Sequence, residues 1–231
     1  MLFTKEAVRA NVRNRDGKRV FYLGKGDQLT SDARDFLARE RIAILPAAEA
    51  APVRYRLLDG GFMEEKPEHM THLSGDILVP KTHPRIRFRG AVDSLEAELL
   101  LCCASSQGAV RAALEEALAY ARCALRDEVL AQPVKEQKLA GMDAATLRQR
   151  SHRPQDFYGQ PHFMPAPEDG LLLLQVNRAR CAARAAELAA ANAFPSQRED
   201  LIRAFNRLSS FLYLIMIGLK AAKEKGCEFA L

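Results

Sequence analysis

Tryptophan is absent from this 231-residue sequence, and aromatic residues make up only 7% of it. Alanine and leucine dominate the second half instead, a composition that favours helices packing on helices. A long hydrophobic run is also missing, because the most apolar stretch, 211–219, is shorter than the roughly 20 residues that span a bilayer. No apolar segment follows the charged N-terminus, so no secretory signal is predicted. These absences predict a soluble, mainly helical protein.

The cysteines are few, odd in number and without a C-x-x-C pair, which argues against a disulfide framework and a cysteine zinc site. They are Cys102, Cys103, Cys123, Cys181 and Cys227. Their apolar helical surroundings predict buried, reduced thiols in a cytoplasmic protein. His69, His72 and His83 lack further ligands at metal-binding spacing, so no metal site is predicted.

Several catalytic fingerprints are absent as well. The sequence contains no Walker A loop, no G-x-S-x-G elbow and no G-x-G-x-x-G dinucleotide motif. The formal charge of +5 suits a protein that handles phosphates, but it falls short of the dense basic stripes of a duplex binder. Because acidic residues also interleave the arginines on every long helix, no nucleic-acid partner is predicted.

The chain divides into three predicted parts. Residues 1–45 form a small mixed α/β module, 46–80 are a connector that leads into a ligand loop, and 81–231 form a helical bundle. Short breaks between long apolar-periodic stretches favour antiparallel neighbours and hence a five-helix bundle. The predicted helices lie near 91–104, 107–130, 134–151, 169–193 and 196–224. Within the third, Gly141-Met142-Asp143 is expected to interrupt the helix and to restart a short one at Asp143.

A basic segment precedes the first predicted bundle helix. It contains Lys81, Arg85, Arg87 and Arg89 just ahead of Asp93. A helix N-terminus with nearby cations can hold a phosphate through free backbone N–H groups and the helix dipole. The alternatives are an exposed basic loop, with Asp93 acting only as a capping residue of the first turn.

The fourth predicted helix carries Arg180, Arg184 and Glu187 at i, i+4 and i+7, which places them on one face. Small neighbours allow close approach of a ligand, and arginine grips phosphate oxygens with two parallel N–H groups. The alternative is a solvated surface ladder in which Glu187 pairs with Arg184.

The last predicted helix places Asn206 and Ser209 beside its apolar stripe. A polar side chain at the edge of a core needs a partner, either from another helix or from a bound ribose or phosphate. Together the three constellations predict a nucleotide-triphosphate site.

Several segments together resemble the ethanolamine-utilisation cobalamin adenosyltransferases of the EutT type, which are similar to the wider PduO-type enzymes. The matching segments are 70–73, 81–98, 139–147, Ser151-His152 and 206–210, with Leu29-Thr30 and Ala33-Arg34 in the N-terminal module. The resemblance implies a PduO-like five-helix bundle that assembles as a homotrimer, with a dimer as the alternative. It also implies that ATP binds at the subunit interfaces.

The resemblance assigns roles to four reaction residues. Asp93, in Gly90-x-x-Asp93, would pair with Arg180 of another subunit, and Arg184 would hold the triphosphate. Phe163 would displace the lower axial ligand of the corrinoid, although it sits one residue away from the family position.

ATP binding is also implied for five residues by the same resemblance. They are Lys81, Arg85, Arg184, Glu187 and Asn206. Two departures limit the match: residues 46–101 lack the cysteine cluster of several EutT-type enzymes, and 71–76 is a degenerate form of the PduO-type phosphate loop.

The implied reaction transfers the 5′-deoxyadenosyl group of ATP, with Mg²⁺, to reduced cobalamin, to supply ethanolamine ammonia-lyase. The expected location is the cytoplasm, with contacts to a reductase or a bacterial microcompartment as further expectations. The alternatives are a nucleotide- or corrinoid-binding protein without catalytic turnover and a microcompartment adaptor.

Overall fold

The computed structural model describes residues 1–15, 17–47 and 55–231, and it divides into two compact units. The first unit comprises residues 1–68 and 76–78, and the second comprises 69–75 and 79–231. Residues 48–54 of the predicted connector lie outside the described residues. The described remainder of that connector is not simply extended chain, because it contains four short strands.

The first unit is a small α/β fold with its own apolar core. Its elements are β1 (Leu2–Phe3), α1 (Lys5–Asn11), β2 (Arg13–Arg15), β3 (Lys18–Leu23), β4 (Gln28–Leu29), α2 (Ser31–Arg39), β5 (Ala43–Pro46), β6 (Tyr55–Leu57) and β7 (Phe62–Met63). The hydroxyl of Thr30 accepts a hydrogen bond from the Ala33 N–H and caps α2. Phe21 and Leu37 pack in the buried core.

The strands of this unit pair in three separate groups. β1 runs parallel to β4, and β3 lies between antiparallel β2 and parallel β5. β6 pairs with antiparallel β7 and, through Ile77 and Leu78, with parallel β9 (Ile77–Pro80).

The second unit is a bundle of four long helices with a shorter fifth. Its elements are β8 (Met70–Ser74), α3 (Pro84–Ala104), α4 (Gly108–Val129), α5 (Ala144–His152), α6 (Pro154–Tyr158), a 3-10 turn (Pro167–Asp169), α7 (Leu171–Ala193) and α8 (Glu199–Lys225). α3 packs on α4 and α7, α8 packs on α4 and α7, and α5 packs on α8. The predicted fold class, a mainly helical five-helix bundle with a small α/β module, is confirmed.

The bundle core explains why the long helices lie where the apolar periodicity predicted them. Phe88 is fully buried and meets the rings of Phe194 and Phe205 edge-on at 6.0 and 5.5 Å between centroids. Such aromatic contacts add about 0.5–1.5 kcal/mol beyond the burial of their area. They join the beginnings of α3 and α8 to the chain that follows α7.

Two predicted helix boundaries are wrong. α3 begins at Pro84 rather than at 91, because the imidazole Nδ1 of His83 accepts the Arg85 N–H at 3.2 Å and proline suits the first helical position. In the predicted helix 134–151 the expected restart at Asp143 is confirmed as α5, but the part before the interruption is not helical. Pro133 and the positive φ angles of Ala140 (48°) and Gly141 (73°) keep the preceding stretch out of a helix, and Asp143 caps the restart.

The longest helix is also the most apolar. By length and composition α8 could cross a membrane, but 67% of its most apolar window is buried inside the protein. This burial is what the core helix of a bundle requires.

The prediction that all the thiols are buried is only partly right. Cys102 and Cys103 are buried, whereas Cys181 and Cys227 are exposed. Burial raises the pKa of the Cys102 thiol to about 12, so that thiol stays protonated at neutral pH.

Candidate functional site

Four predicted site residues lie along the line where α7 meets α8. We call Arg180, Arg184, Glu187 and Asn206 the α7–α8 edge. A carboxylate oxygen of Glu187 accepts a hydrogen bond from the Asn206 amide nitrogen at 2.9 Å, which ties the two helices together. Arg180 and Arg184 precede Glu187 by seven and three residues and therefore share its side of α7.

The two arginines of this edge are held differently. Nε and Nη2 of Arg180 donate to the side-chain oxygen of Asn177 at 3.1 and 3.0 Å, so its orientation is set within α7. Arg184 is exposed, and its guanidinium forms no hydrogen bond or ion pair within the described chain. The alternative in which Glu187 pairs with Arg184 is therefore not what the structure shows.

Asn206 is the centre of a small polar network. Its side-chain oxygen accepts from Nη1 of Arg207 at 3.0 Å, while its amide nitrogen donates to Glu187. The hydroxyls of Ser209 and Ser210 both donate to the Asn206 carbonyl, at 2.8 and 3.2 Å. The partner that the sequence required for this asparagine is thus another helix.

Asp93 lies at the height of this edge but on a different side of the bundle. Phe88 meets Phe194 and Glu98 pairs with Arg178, so α3 and α7 are antiparallel and Asp93 lies between these two contacts.

Two neighbours of Asp93 show which way it faces. Arg89 and Glu96, four residues before and three after it, both bond to α4, whereas Glu187 bonds to α8. Asp93 therefore faces the α4 side of α3, and one chain does not bring it to Arg180 or Arg184.

The expectation that Asp93 lies in the first turn of its helix is wrong. Because α3 begins at Pro84, Asp93 occupies the third turn, and His83 performs the capping. Asp93 is exposed, and no described side chain or backbone group bonds to its carboxylate.

The basic segment also differs from its prediction. Arg85, Arg87 and Arg89 belong to the first two turns of α3, so only Lys81 of the four cations precedes the helix. Lys81 is exposed, and its backbone N–H donates to the His69 carbonyl at 2.9 Å, which fixes the chain entering α3.

Two of these arginines converge on a glutamate that the sequence had not indicated. We call Glu128, Arg85 and Arg89 the Glu128 cluster. Glu128 is 0% exposed; Arg85 approaches one of its oxygens at 2.6 Å, and Nε of Arg89 donates to the other at 2.8 Å. Nη1 of Arg89 also donates to the Leu73 carbonyl at 3.0 Å.

The Glu128 cluster satisfies a charge that would otherwise be very costly to bury. It clamps the end of α4 to the start of α3 and to the chain that precedes α3. The i, i+4 spacing of Arg85 and Arg89 was the available signal, since it puts both on one face.

Phe163 packs against α8. Its ring stacks on Tyr213 with centroids 6.4 Å apart, and the Lys220 ammonium lies 5.5 Å from its centroid. His162 approaches the Tyr213 hydroxyl at 2.8 Å and stacks on the same ring. Burial raises the pKa of Tyr213, although contact with the Phe163 backbone opposes the rise.

The lysine that contacts the Phe163 ring is itself held by an ion pair. Lys220 donates to a carboxylate oxygen of Asp169 at 2.5 Å, and the Ala166 N–H donates to the other at 2.8 Å. These bonds hold the pKa of Asp169 below its ordinary value, with the Lys220 contact as the main cause.

Metal ligands do not gather anywhere in residues 1–15, 17–47 and 55–231. No group of three His, Cys, Asp or Glu side chains in these ranges could hold a metal ion.

The cobalamin adenosyltransferase family model matches residues 62–219, which are more than half of the chain. The chain is 30% identical over 165 residues to the corrinoid adenosyltransferase EutT of Salmonella typhimurium, covering 69% of this chain and 61% of that one. It is 29% identical over 158 residues to EutT of Escherichia coli, covering 66% and 59%. The chain therefore spans about three-fifths of the length of these curated relatives.

A solved structure is also similar: a variant PduO-type ATP:corrinoid adenosyltransferase from Lactobacillus reuteri, complexed with cobalamin and ATP. It shares 17% identity with a TM-score of 0.48 and covers 74% of this chain and 88% of that one. The match of the family model over residues 62–219 spans the chain from β7 to α8 and contains every predicted site residue. On this match, the chain belongs to the cobalamin adenosyltransferase family.

Proposed function

We propose that this protein transfers the 5′-deoxyadenosyl group of ATP to the cobalt of reduced cobalamin. The C5′–O bond of ATP breaks, a Co–C bond forms, and the electron pair of the broken bond leaves with inorganic triphosphate. Family membership supports this reaction. The observation that carries it is the α7–α8 edge, where an open Arg184 lies beside the interhelical bond between Glu187 and Asn206.

This chemistry needs no nucleophilic side chain, because the reduced cobalt of the substrate attacks C5′. The protein must align the two substrates and stabilise the charge that grows on the departing triphosphate. Arg184 suits the second task because its guanidinium is exposed and makes no bond within the described chain. Lys81, exposed ahead of α3, supplies a second cation.

Arg85 has a smaller part in this proposal than Lys81. Its Nε and Nη2 are both directed to the buried Glu128, so Nη1 is the nitrogen left for a phosphate oxygen. Glu187 and Asn206 bind the nucleotide as a pair whose mutual hydrogen bond sets the orientation of both.

Two copies of the chain are needed to complete the site. Asp93 faces the α4 side of α3, whereas Arg180 belongs to the α7–α8 edge. We propose that Asp93 of one subunit pairs with Arg180 of the next, which builds the ATP site at each interface of a homotrimer. A dimer would provide the same pairing with fewer sites.

Phe163 is the proposed wedge that keeps the lower axial ligand away from cobalt. It is half-buried and held by Tyr213 and Lys220, so its ring is supported from the protein side. An apolar surface in that position also excludes water from the reacting cobalt.

Mg²⁺ would be held mainly by the phosphate oxygens of ATP, since the described residues contain no cluster of ligands for it. Bound there, the ion would neutralise part of the charge on the leaving triphosphate.

The test is to mix the protein with ATP and Co(I) cobalamin and to follow the absorbance change of Co–C bond formation. We expect adenosylcobalamin and triphosphate to appear in equal amounts, with and without a chelator of transition metals. Binding of both substrates without product would support instead a carrier without catalytic turnover. An adaptor would bind neither substrate.

The cellular setting follows from the relatives that are named EutT. We propose a cytoplasmic enzyme of ethanolamine utilisation that supplies adenosylcobalamin to ethanolamine ammonia-lyase. A reductase that delivers Co(I) cobalamin and a microcompartment shell are the corresponding partners.

A further inference from the structure

A cleft with both polar and apolar walls lies between α4, α5, α8 and the chain from 134 to 139. Its volume is about 70 Å³, several times what one ordered water needs. The polar side chains in its walls are Tyr120, Lys135, Glu136, Gln137, Asp200, Arg203 and Arg207. None of them is a predicted site residue.

Two polar groups in this cleft lack partners. Tyr120 is 7% exposed, and its hydroxyl forms no hydrogen bond with any described residue. Nε of Arg207 is buried and likewise has no partner among the described residues. Burial and Glu136 raise the pKa of Tyr120 while Arg207 lowers it, so the hydroxyl lies among these charges. Unsatisfied buried donors are rare in folded proteins, so Nε of Arg207 indicates a missing acceptor.

The charge of the cleft favours an anion. Asp200 is already neutralised, because Arg198 donates to it at 2.9 Å and the Val134 N–H does so at 2.7 Å. Three cations, Lys135, Arg203 and Arg207, then face one uncompensated carboxylate, that of Glu136. Arginine forks and a tyrosine hydroxyl are donors suited to a tetrahedral oxyanion.

We propose that this cleft binds a small oxyanion of the phosphate class, either free phosphate or the terminal phosphoryl group of a larger molecule. Nε of Arg207 and the Tyr120 hydroxyl donate to its oxygens from inside the cleft. Arg203 and Lys135 approach from the exposed side. The volume admits one phosphoryl group and not a nucleotide.

The cleft is also coupled to the α7–α8 edge. Arg207 bonds through Nη1 to the side-chain oxygen of Asn206, which in turn bonds to Glu187. An anion that draws the Arg207 guanidinium toward the cleft weakens its hold on Asn206. This part of the inference rests on the proposed function. The contact makes the oxyanion an inhibitor that lowers ATP affinity, and ATP lowers the affinity for the oxyanion by the same factor.

Calorimetric titration of the full-length protein with inorganic phosphate, at constant ionic strength and without ATP or corrinoid, tests the binding. We expect saturable binding that Arg203→Gln and Tyr120→Phe each weaken about tenfold, the loss expected for one charge-assisted or buried hydrogen bond. Arg34→Gln, which removes an exposed arginine of α2, is the control and should bind as the parent does. Non-saturable binding, or equal affinity in Arg203→Gln and Arg34→Gln, would overturn the proposal.

Repeating the titration with inorganic triphosphate separates the two sources of the phosphoryl group. Free phosphate as the ligand predicts that triphosphate binds no more tightly to this cleft, whereas a terminal group predicts tighter binding that is still lost in Arg203→Gln.

The coupling is tested by ATP titrations with and without phosphate. At a phosphate concentration near the parent's dissociation constant, ATP affinity should fall in the parent protein and much less in Arg203→Gln. An unchanged ATP affinity while phosphate binds would disprove the coupling alone. Failure of adenosyl transfer with intact phosphate binding would disprove the proposed function and leave the cleft as an anion site.

Discussion

The Glu128 cluster and the α7–α8 edge contain the same residue types, yet the bundle uses them in opposite ways. In the cluster, two arginines surround a glutamate that has no exposed surface. Along the edge, the glutamate bonds to an asparagine, and Arg184 faces solvent without a partner in the described chain. An arginine that pairs with a buried carboxylate holds helices together, whereas an exposed, unpaired one is available to a ligand.

This difference shows that residue type and spacing do not by themselves identify a ligand site. The i, i+4 arginines of α3 looked as suitable for phosphate as those of α7. Only the burial of Glu128, on a different helix, distinguishes them. Four variants or mixtures of variants test this comparison.

Glu128→Ala should have the largest effect on stability. It leaves two partly buried guanidinium groups without a counterion, and breaking a buried pair from one side costs about 3–5 kcal/mol. Glu115→Ala on the same helix is the matched control, because its pair with Arg111 is 54% and 52% exposed and such pairs contribute about 0–1 kcal/mol. Urea unfolding measures both variants, and equal losses would contradict the assignment of a structural role to the cluster.

Arg184→Ala should instead affect activity and leave stability nearly unchanged. Loss of one preorganised donor to the leaving triphosphate should cut turnover by about 10²-fold, while an exposed substitution changes unfolding by less than about 0.5 kcal/mol. The absorbance assay and a melting curve give the two values. Near-normal turnover would remove Arg184 from the site.

Mixing two weakened variants should restore part of the activity. Asp93→Ala and Arg184→Ala damage opposite halves of the proposed interface, so random mixed oligomers regain intact residues at roughly a quarter of the interfaces. The variants are co-expressed, and the activity of the mixture is compared with that of each variant alone. Absence of any recovery would show that Asp93 and Arg184 do not act from different subunits.

Breaking the pair formed by Lys220 and Asp169 should have the smallest effect of these changes, a loss in the free energy of unfolding. The size of that loss should depend on pH. Since the pKa of Asp169 is lowered from 3.8, its stabilisation is present above that value and is lost as the pH falls through the lowered pKa. Lys220→Met should therefore be less stable than the parent at pH about 5, and the difference in unfolding free energy should narrow as the pH falls through the lowered pKa of Asp169. Glu224 also contacts Lys220 at 3.1 Å, but it is exposed and contributes little.

Unfolding curves across this pH range, with Lys66→Met as a control for the loss of an exposed charge, provide the measurement. A difference in unfolding free energy between Lys220→Met and the parent that stays constant with pH would mean that Lys220 acts through packing on Phe163 rather than through Asp169.

Apolar periodicity predicted α4, α7 and α8 to within three residues, because the faces of these helices repeat without interruption. It failed at α3, whose first two turns carry arginines that were interpreted as a loop. The capping residue His83 and the proline at the first helical position were present in the sequence. The arginines that follow fit a helix that packs on the bundle only because they pair with Glu128 of another helix. The restart of α5 at Asp143 was predicted correctly, whereas the residues before it were wrongly predicted as helix. The reason is local, since Ala140 adopts a positive φ that alanine seldom favours.

The N-terminal module was predicted in outline, as a small unit that combines helix and strand. Its first helix and its shortest strands were missed, because two- and three-residue strands are too short to show a period. Their pairing depends on neighbours that are distant in sequence, such as β3 and β5.

Local patterning by itself determined the class of the fold and the composition of the predicted site, since both depend on which residues recur at helical spacing. The tertiary structure decided which charges are satisfied inside the chain. Asp93 and Arg184 face different sides because α3 and α7 bury fixed stripes against the core, and turning either helix would expose those stripes to water. Glu128 is buried for a related reason, because three segments from separate parts of the chain meet around it and replace the water that a carboxylate would otherwise need.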